Sequence, residues 1–104
     1  MEQDINLKKI KEVVLEILPG AKVYLFGSRA RNTQAEWSDY DIMVVTVKSY
    51  PPREKISIRS RISKLLAKKD IPADILMNSE EEVQIRKDLI GHIVRTIFKE
   101  AIAL

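Results

Sequence analysis

Apolar positions along the chain follow two rhythms. From Asn6 to Leu18, the residues Ile10, Val13, Val14, Ile17 and Leu18 recur at steps of three and four, which places them on one buried face of a helix. Pro19-Gly20 ends that helix. Lys22–Phe26 (KVYLF), aromatic and β-branched between two glycines, reads as a strand. A short helix is expected to begin at Ser28 and run to Arg31, left through Asn32-Thr33-Gln34 and a polar loop reaching Ser38. Asp41–Val47 (DIMVVTV) is apolar almost throughout, the pattern of a central strand covered on both faces.

Beyond Pro51-Pro52, the segment Arg53–Lys69 carries Ile56, Ile62, Leu65 and Leu66 among seven basic residues, a helix with one apolar stripe. Ile71–Met77 (IPADILM) reads as a third strand, and Pro72 suits an edge or a strand start. Asn78 or Ser79 caps a long last helix whose first turn holds Glu80, Glu81 and Glu82, where the helix dipole favours acids. In it Ile85, Leu89, Ile93 and Ile97 step by four, and so do Ile90, Val94, Phe98 and Ile102; Gly91 is a place for a bend. The predicted order is αβαβαβα, an α/β (α+β) fold with helices packed on a small mixed sheet.

The chain has 104 residues, which fits one domain, 1–104, and one site. Hydrophobic residues at 45% and charged residues at 32% are ordinary for a globular chain. Without cysteine, disulfides and thiolate metal sites are excluded, and a cytoplasmic location is expected. The beginning MEQDINLKK has no signal-peptide core, and no apolar run is long enough to span a membrane. A net charge of +3 permits nucleic-acid binding without arguing for it.

The chemistry concentrates in GSRARNTQAEWSDYDIMVV, residues 27–45. Gly-Ser and Ser-Asp-Tyr-Asp are each common turn sequences, so either alone is read as structural. Together they suggest more. Residues i and i+2 of a strand share a side, so Asp39 and Asp41 aim two carboxylates at one point, and a hard divalent cation is the ordinary remedy for their repulsion. Asp74 is an isolated acid in an apolar strand; beside the second strand it completes a three-carboxylate cluster able to hold two metal ions, and on an edge it looks at solvent. Gly27 lets the backbone approach a ligand, and Ser28 offers a hydroxyl and an N–H to a phosphate. Arg29 and Arg31 stand nearby as candidates for neutralising a polyphosphate.

Gly27-Ser28, ten intervening residues, Asp39-Tyr40-Asp41 and Asp74 in the next strand resemble the nucleotidyltransferase superfamily of DNA polymerase beta, in particular its minimal nucleotidyltransferase (MNT) branch. The resemblance implies that Asp39, Asp41 and Asp74 bind two Mg²⁺ ions, with Asp74 helping to activate the acceptor hydroxyl, while Gly27 and Ser28 grip the phosphates of ATP. Members often continue Gly-Ser-x-Ala-x-Gly; Asn32 holds the last glycine's place, and asparagine tolerates a left-handed backbone better than most residues.

The reaction so implied is transfer of AMP from ATP to a hydroxyl, with pyrophosphate leaving. Proteins of this size in the MNT branch resemble the antitoxins of HEPN/MNT pairs, so a tyrosine of a HEPN ribonuclease toxin is the expected acceptor. The wide apolar face of the last helix suits such a partner or a second copy of the chain, and equally suits covering the sheet. Three other readings stand: an idle MNT-like module that neutralises a partner by binding, a nucleotidyltransferase subunit acting on a small molecule or RNA, and a nucleic-acid-binding domain that uses the basic segment 53–69. That segment lacks interleaved aromatics, which favours a solvated helix face. His92 has no second imidazole or cysteine to make a zinc site. Trp37 and Tyr40 flank the acids as residues that could stack on a base or pack, and Tyr24 is expected in the core.

Overall fold

The computed structural model describes residues 4–32 and 38–104. Helix α1 (Ile5–Ile17) opens on Asp4, whose carboxylate accepts from the Asn6 N–H at 2.9 Å. It runs into strand β1 (Lys22–Phe26), the short helix α2 (Gly27–Ala30) and strand β2 (Tyr40–Thr46). Helix α3 (Pro52–Ala67), with Pro52 in its first turn, crosses to strand β3 (Ala73–Ser79). Helices α4 (Glu80–Arg86) and α5 (Ile93–Glu100) follow, then a two-residue strand β4 (Ile102–Ala103).

The sheet order is β3-β2-β1-β4. β1 pairs antiparallel with β2 and with β4, whereas β2 and β3 are parallel, so the sheet is mixed. β2 is central and buried on both faces, as its apolar run predicts, and β3 is the edge strand that Pro72 foretells. Successive residues of a strand point to opposite faces, which splits the interior in two. On one face Ile42 and Val44 of β2, Val23 and Leu25 of β1 and Ile75 and Met77 of β3 pack with Ile10, Val14, Ile62 and Leu66 of α1 and α3. On the other, Met43 and Val45 meet Val94 and Ile97 of α5, with Tyr24, Phe26, Leu76 and Phe98 at the margin. Each fully buried aliphatic side chain contributes about 1.5–3 kcal/mol.

The expected single last helix is instead two helices and a strand. Gly91 has φ +83°, a left-handed backbone that no helix continues through. His92 then caps α5, its Nδ1 accepting from the Val94 N–H at 3.1 Å. The predicted apolar rows therefore divide: Val94 and Ile97 are buried, while Ile85, Leu89, Ile90 and Ile93 are exposed, Ile90 by 90%. Ile102 leaves the helix to pair with Leu25, and the Leu104 N–H donates to the Val23 carbonyl at 2.9 Å. At the start of this region Ser79, and not Asn78, is the cap. Its hydroxyl accepts from the Glu82 N–H at 3.1 Å while Glu82 Oε1 accepts from the Ser79 N–H at 2.9 Å.

Candidate active site

Strand register brings the acids together. In the parallel ladder Asp41 is the partner of Asp74, so the two carboxylates start from adjacent strands on the same side of the sheet. Asp39 lies two residues earlier, just before β2, and all three stand at one end of the sheet. Their face is the one that α5 covers, because Met43 and Leu76, two residues further along each strand, pack there. The eight residues of α5 cover only part of that face. Asp39 and Asp74 are exposed and Asp41 is partly buried.

The carboxyl of Asp41 is pushed above its usual range, first by burial, then by the charges of Asp74 and Asp39. Arg31 opposes this shift and Glu100 adds to it. Among the described residues no three such side chains close into a ready-made metal cage.

Gly27 forms the floor. It leaves β1 with φ +75°, and a Cβ built on it would lie 2.1 Å from Asp41 Oδ2. Across the antiparallel pair Phe26 is the partner of Asp41, so the register itself sets the carboxylate beside the glycine. Ser28, partly buried, follows in α2. Asn32, at φ 59°, takes the left-handed conformation that the missing glycine of the motif would otherwise supply.

The two arginines differ. Arg29 donates through Nε and Nη2 to the Ser38 carbonyl at 3.0 and 2.8 Å, and its guanidinium stacks 3.9 Å from the centroid of the Tyr40 ring. Its Nη1 lies 3.9 Å from Asp4. Arg29 thus fastens the return of the loop to α2 and α1. Arg31, at 52% side-chain exposure, faces the site side and donates through Nη1 to both oxygens of Glu100, at 2.9 and 3.0 Å. Glu100 Oε1 also accepts from the Gly27 N–H at 3.1 Å. The bond from Arg31 holds the Glu100 carboxyl below its usual range against burial, which raises it, and the Gly27 amide adds to the lowering.

Glu100 had no signal in the sequence. A glutamate at the end of an amphipathic helix reads as surface, and only the tertiary packing of α5 brings it to Gly27, 73 residues away in the chain.

Tyr40 turns away from the acids. It is 4% exposed, packs on the α1 side of the sheet, and its hydroxyl donates to Asp4 and accepts from Asn6 Nδ2 at 3.2 Å. Burial, then the bond to Asp4, raises its pKa. It does not present a ring for base stacking. Trp37, the other aromatic beside the acids, lies outside the described residues. Tyr24 packs edge-on against Phe98 with centroids 5.1 Å apart, at the margin of the second cluster. A cleft of about 270 Å³ at the opposite end of the same face, between Lys22, Val45, Glu80 and Phe98, is lined by none of Asp39, Asp41 and Asp74. The acids, not that cleft, carry the candidate chemistry.

Comparison with known proteins bears on the fold and the family. A family model described as a nucleotidyltransferase domain matches residues 7–104. Among solved structures, a candidate nucleotidyltransferase from Sulfolobus solfataricus superposes with a TM-score of 0.65 at 24% identity, over 95% of this chain and 76% of that one. A complex of tri-AMPylated Shewanella oneidensis HEPN toxin with MNT antitoxin gives 0.55 at 15% identity, over 95% and 68%. A toxin–antitoxin complex with AMP-PNP gives 0.59 at 19% identity, over 92% and 69%. At these identities the likeness is one of fold. No curated protein matches the chain.

Proposed function

The chain belongs to the nucleotidyltransferase domain family, and from that membership we propose that it transfers AMP from ATP to a hydroxyl on a partner protein, a tyrosine of a HEPN ribonuclease toxin. In this reaction the tyrosine oxygen bonds to the α-phosphorus, the bond from that phosphorus to the bridging oxygen of the β-phosphate breaks, and pyrophosphate leaves. The tyrosine proton passes to a carboxylate, for which Asp74, the exposed member at the sheet edge, is assigned.

One observation carries the reading: Asp41 and Asp74 are register partners at the strand ends where Gly27-Ser28 leaves β1. The donor set suits Mg²⁺. These are hard carboxylate oxygens, and after burial it is the charges of Asp74 and Asp39 that raise the pKa of Asp41, a repulsion that a cation would offset. Mg²⁺ is usually held by one or two carboxylates together with substrate phosphates, so an incomplete protein cage is compatible with it. Asp39, Asp41 and Asp74 would hold the ions, whose chemistry is to offset the charge developing on the phosphates. Gly27 with Ser28 would hold the phosphate chain, and Arg31 is better placed than Arg29 to join them.

The partner is supported by the exposed residues Ile85, Leu89, Ile90 and Ile93, a surface that the fold itself does not cover, and by the HEPN toxin carried AMPylated by a structural neighbour. The test is pyrophosphate release from Mg²⁺·ATP by the chain with and without a HEPN toxin. Release that needs both proteins and disappears in Asp39→Ala/Asp41→Ala is expected; release unaffected by the double substitution rejects the assignment.

A further inference from the structure

Glu100 brings one more acid to a site that is already acidic. Its carboxylate adds a fourth negative charge near Asp41, whose other acidic neighbours are Asp74 and Asp39. It is also the last residue of α5, the end of a helix at which the dipole disfavours an acid. Neither circumstance helps the fold. What holds Glu100 in place is a pair of donors, the Gly27 N–H at 3.1 Å and Arg31 Nη1 at 2.9 and 3.0 Å.

Those two donors are groups that the nucleotidyltransferase reading gives to the phosphates of ATP, and the inference rests on that reading. A carboxylate that accepts from a backbone N–H and a guanidinium makes the contacts a phosphate oxygen would make, with less charge. We propose that Glu100 is a built-in competitor of the nucleotide: it closes the phosphate grip through α5 and must swing off Gly27 and Arg31 when ATP enters. The contact is an autoinhibitory latch. It couples the C-terminal end of the chain to the site, because β4 begins two residues after Glu100 and pairs with the same β1 that delivers Gly27. Glu100 is partly exposed, with 26% of its side chain accessible, so release needs no opening of the core.

The experiment is calorimetric titration of the full chain with Mg²⁺ and α,β-methylene-ATP, which binds without being transferred, for the unmodified protein, Glu100→Ala and Glu100→Gln. Removing the competitor should tighten binding roughly tenfold in Glu100→Ala, the order expected for one solvent-facing charge-assisted hydrogen bond. Glu100→Gln, which keeps the size and loses the charge, should fall between. Amide exchange without nucleotide gives an independent reading: the Gly27 N–H should exchange faster in Glu100→Ala. An affinity in Glu100→Ala equal to or weaker than that of the unmodified protein overturns the latch while leaving the nucleotide site standing. Absence of binding by all three proteins overturns both.

Discussion

Gly27 and Asp41 occupy each other's space: a methyl group on Gly27 would lie 2.1 Å from Asp41 Oδ2, at a backbone φ of +75°. Two separate penalties therefore meet in Gly27→Ala, the left-handed backbone and the collision with the carboxylate. Strain of the first kind costs about 1–2 kcal/mol, and the second displaces Asp41 from the site. The expected result is a loss of stability of roughly 1–3 kcal/mol in urea unfolding. The double variant Gly27→Ala/Asp41→Ala should relieve most of the collision, since only the Cβ of residue 41 stays, at 3.1 Å, and keep the backbone strain. Additive effects in that cycle would show that the two residues do not touch.

Asp41→Asn separates stability from activity. The folded pKa of Asp41 lies above its unfolded value, so the proton is bound more tightly in the native state. Its ionisation therefore destabilises the fold above that pKa, and the penalty disappears as pH falls through it. Without divalent ions, Asp41→Asn should melt higher than the unmodified protein at pH 7, by a margin that closes below roughly pH 4, near the unfolded pKa of aspartate. AMP transfer should vanish. A lower melting temperature at pH 7 would mean that the carboxylates stabilise the strand ends.

Glu82 has the opposite sign. Burial works against its ionisation, but the hydrogen bond from Lys55, the Ser79 N–H and the charges of Lys55 and Arg86 outweigh it and lower the pKa. Stability from Glu82 is therefore present above its unfolded pKa and lost as pH falls through the folded one. Lys55 Nζ reaches Glu82 Oε2 at 2.6 Å, and the same carboxylate closes the capping box on Ser79. Glu82→Gln keeps the cap and loses the ion pairs; it should cost about 1 kcal/mol near pH 7, a deficit that shrinks as pH falls below the unfolded glutamate pKa of about 4.3. A pH-independent deficit in thermal melts would assign the whole effect to geometry.

Arg29 is expected to act as a fastener. Arg29→Lys cannot reproduce the two-pronged bond to the Ser38 carbonyl or the planar stack on Tyr40. It should lose about 1–2 kcal/mol of stability, most of what Arg29→Ala loses. Full rescue by lysine would show that charge alone matters at this position.

Much of this arrangement is legible in the sequence. The 3.6-residue rhythm of α1, the unbroken apolar run of β2 and Pro72 at the edge strand each reflect one local requirement, and the structure keeps all three. The pairing of Asp41 with Asp74 follows once the second and third strands are neighbours. The last quarter of the chain was less legible, because its helical spacing of apolar residues runs on across Gly91, where the backbone reverses. β4 was hidden for another reason: two residues carry no strand rhythm, and Ile102 becomes a strand residue only by pairing with Leu25. Arg29 and Arg31 look alike in sequence and part company in space, one held by Ser38, Tyr40 and Asp4, the other by Glu100.

The most direct test of the central claim is the intact mass of a HEPN toxin that forms a complex with this chain, measured after incubation with the purified chain, ATP and Mg²⁺. The account predicts a gain of one or more AMP units on the HEPN protein, located on tyrosine, and no gain with Asp39→Ala/Asp41→Ala. An unchanged mass from a stable complex of the two proteins would contradict it and leave a protein that acts by binding alone.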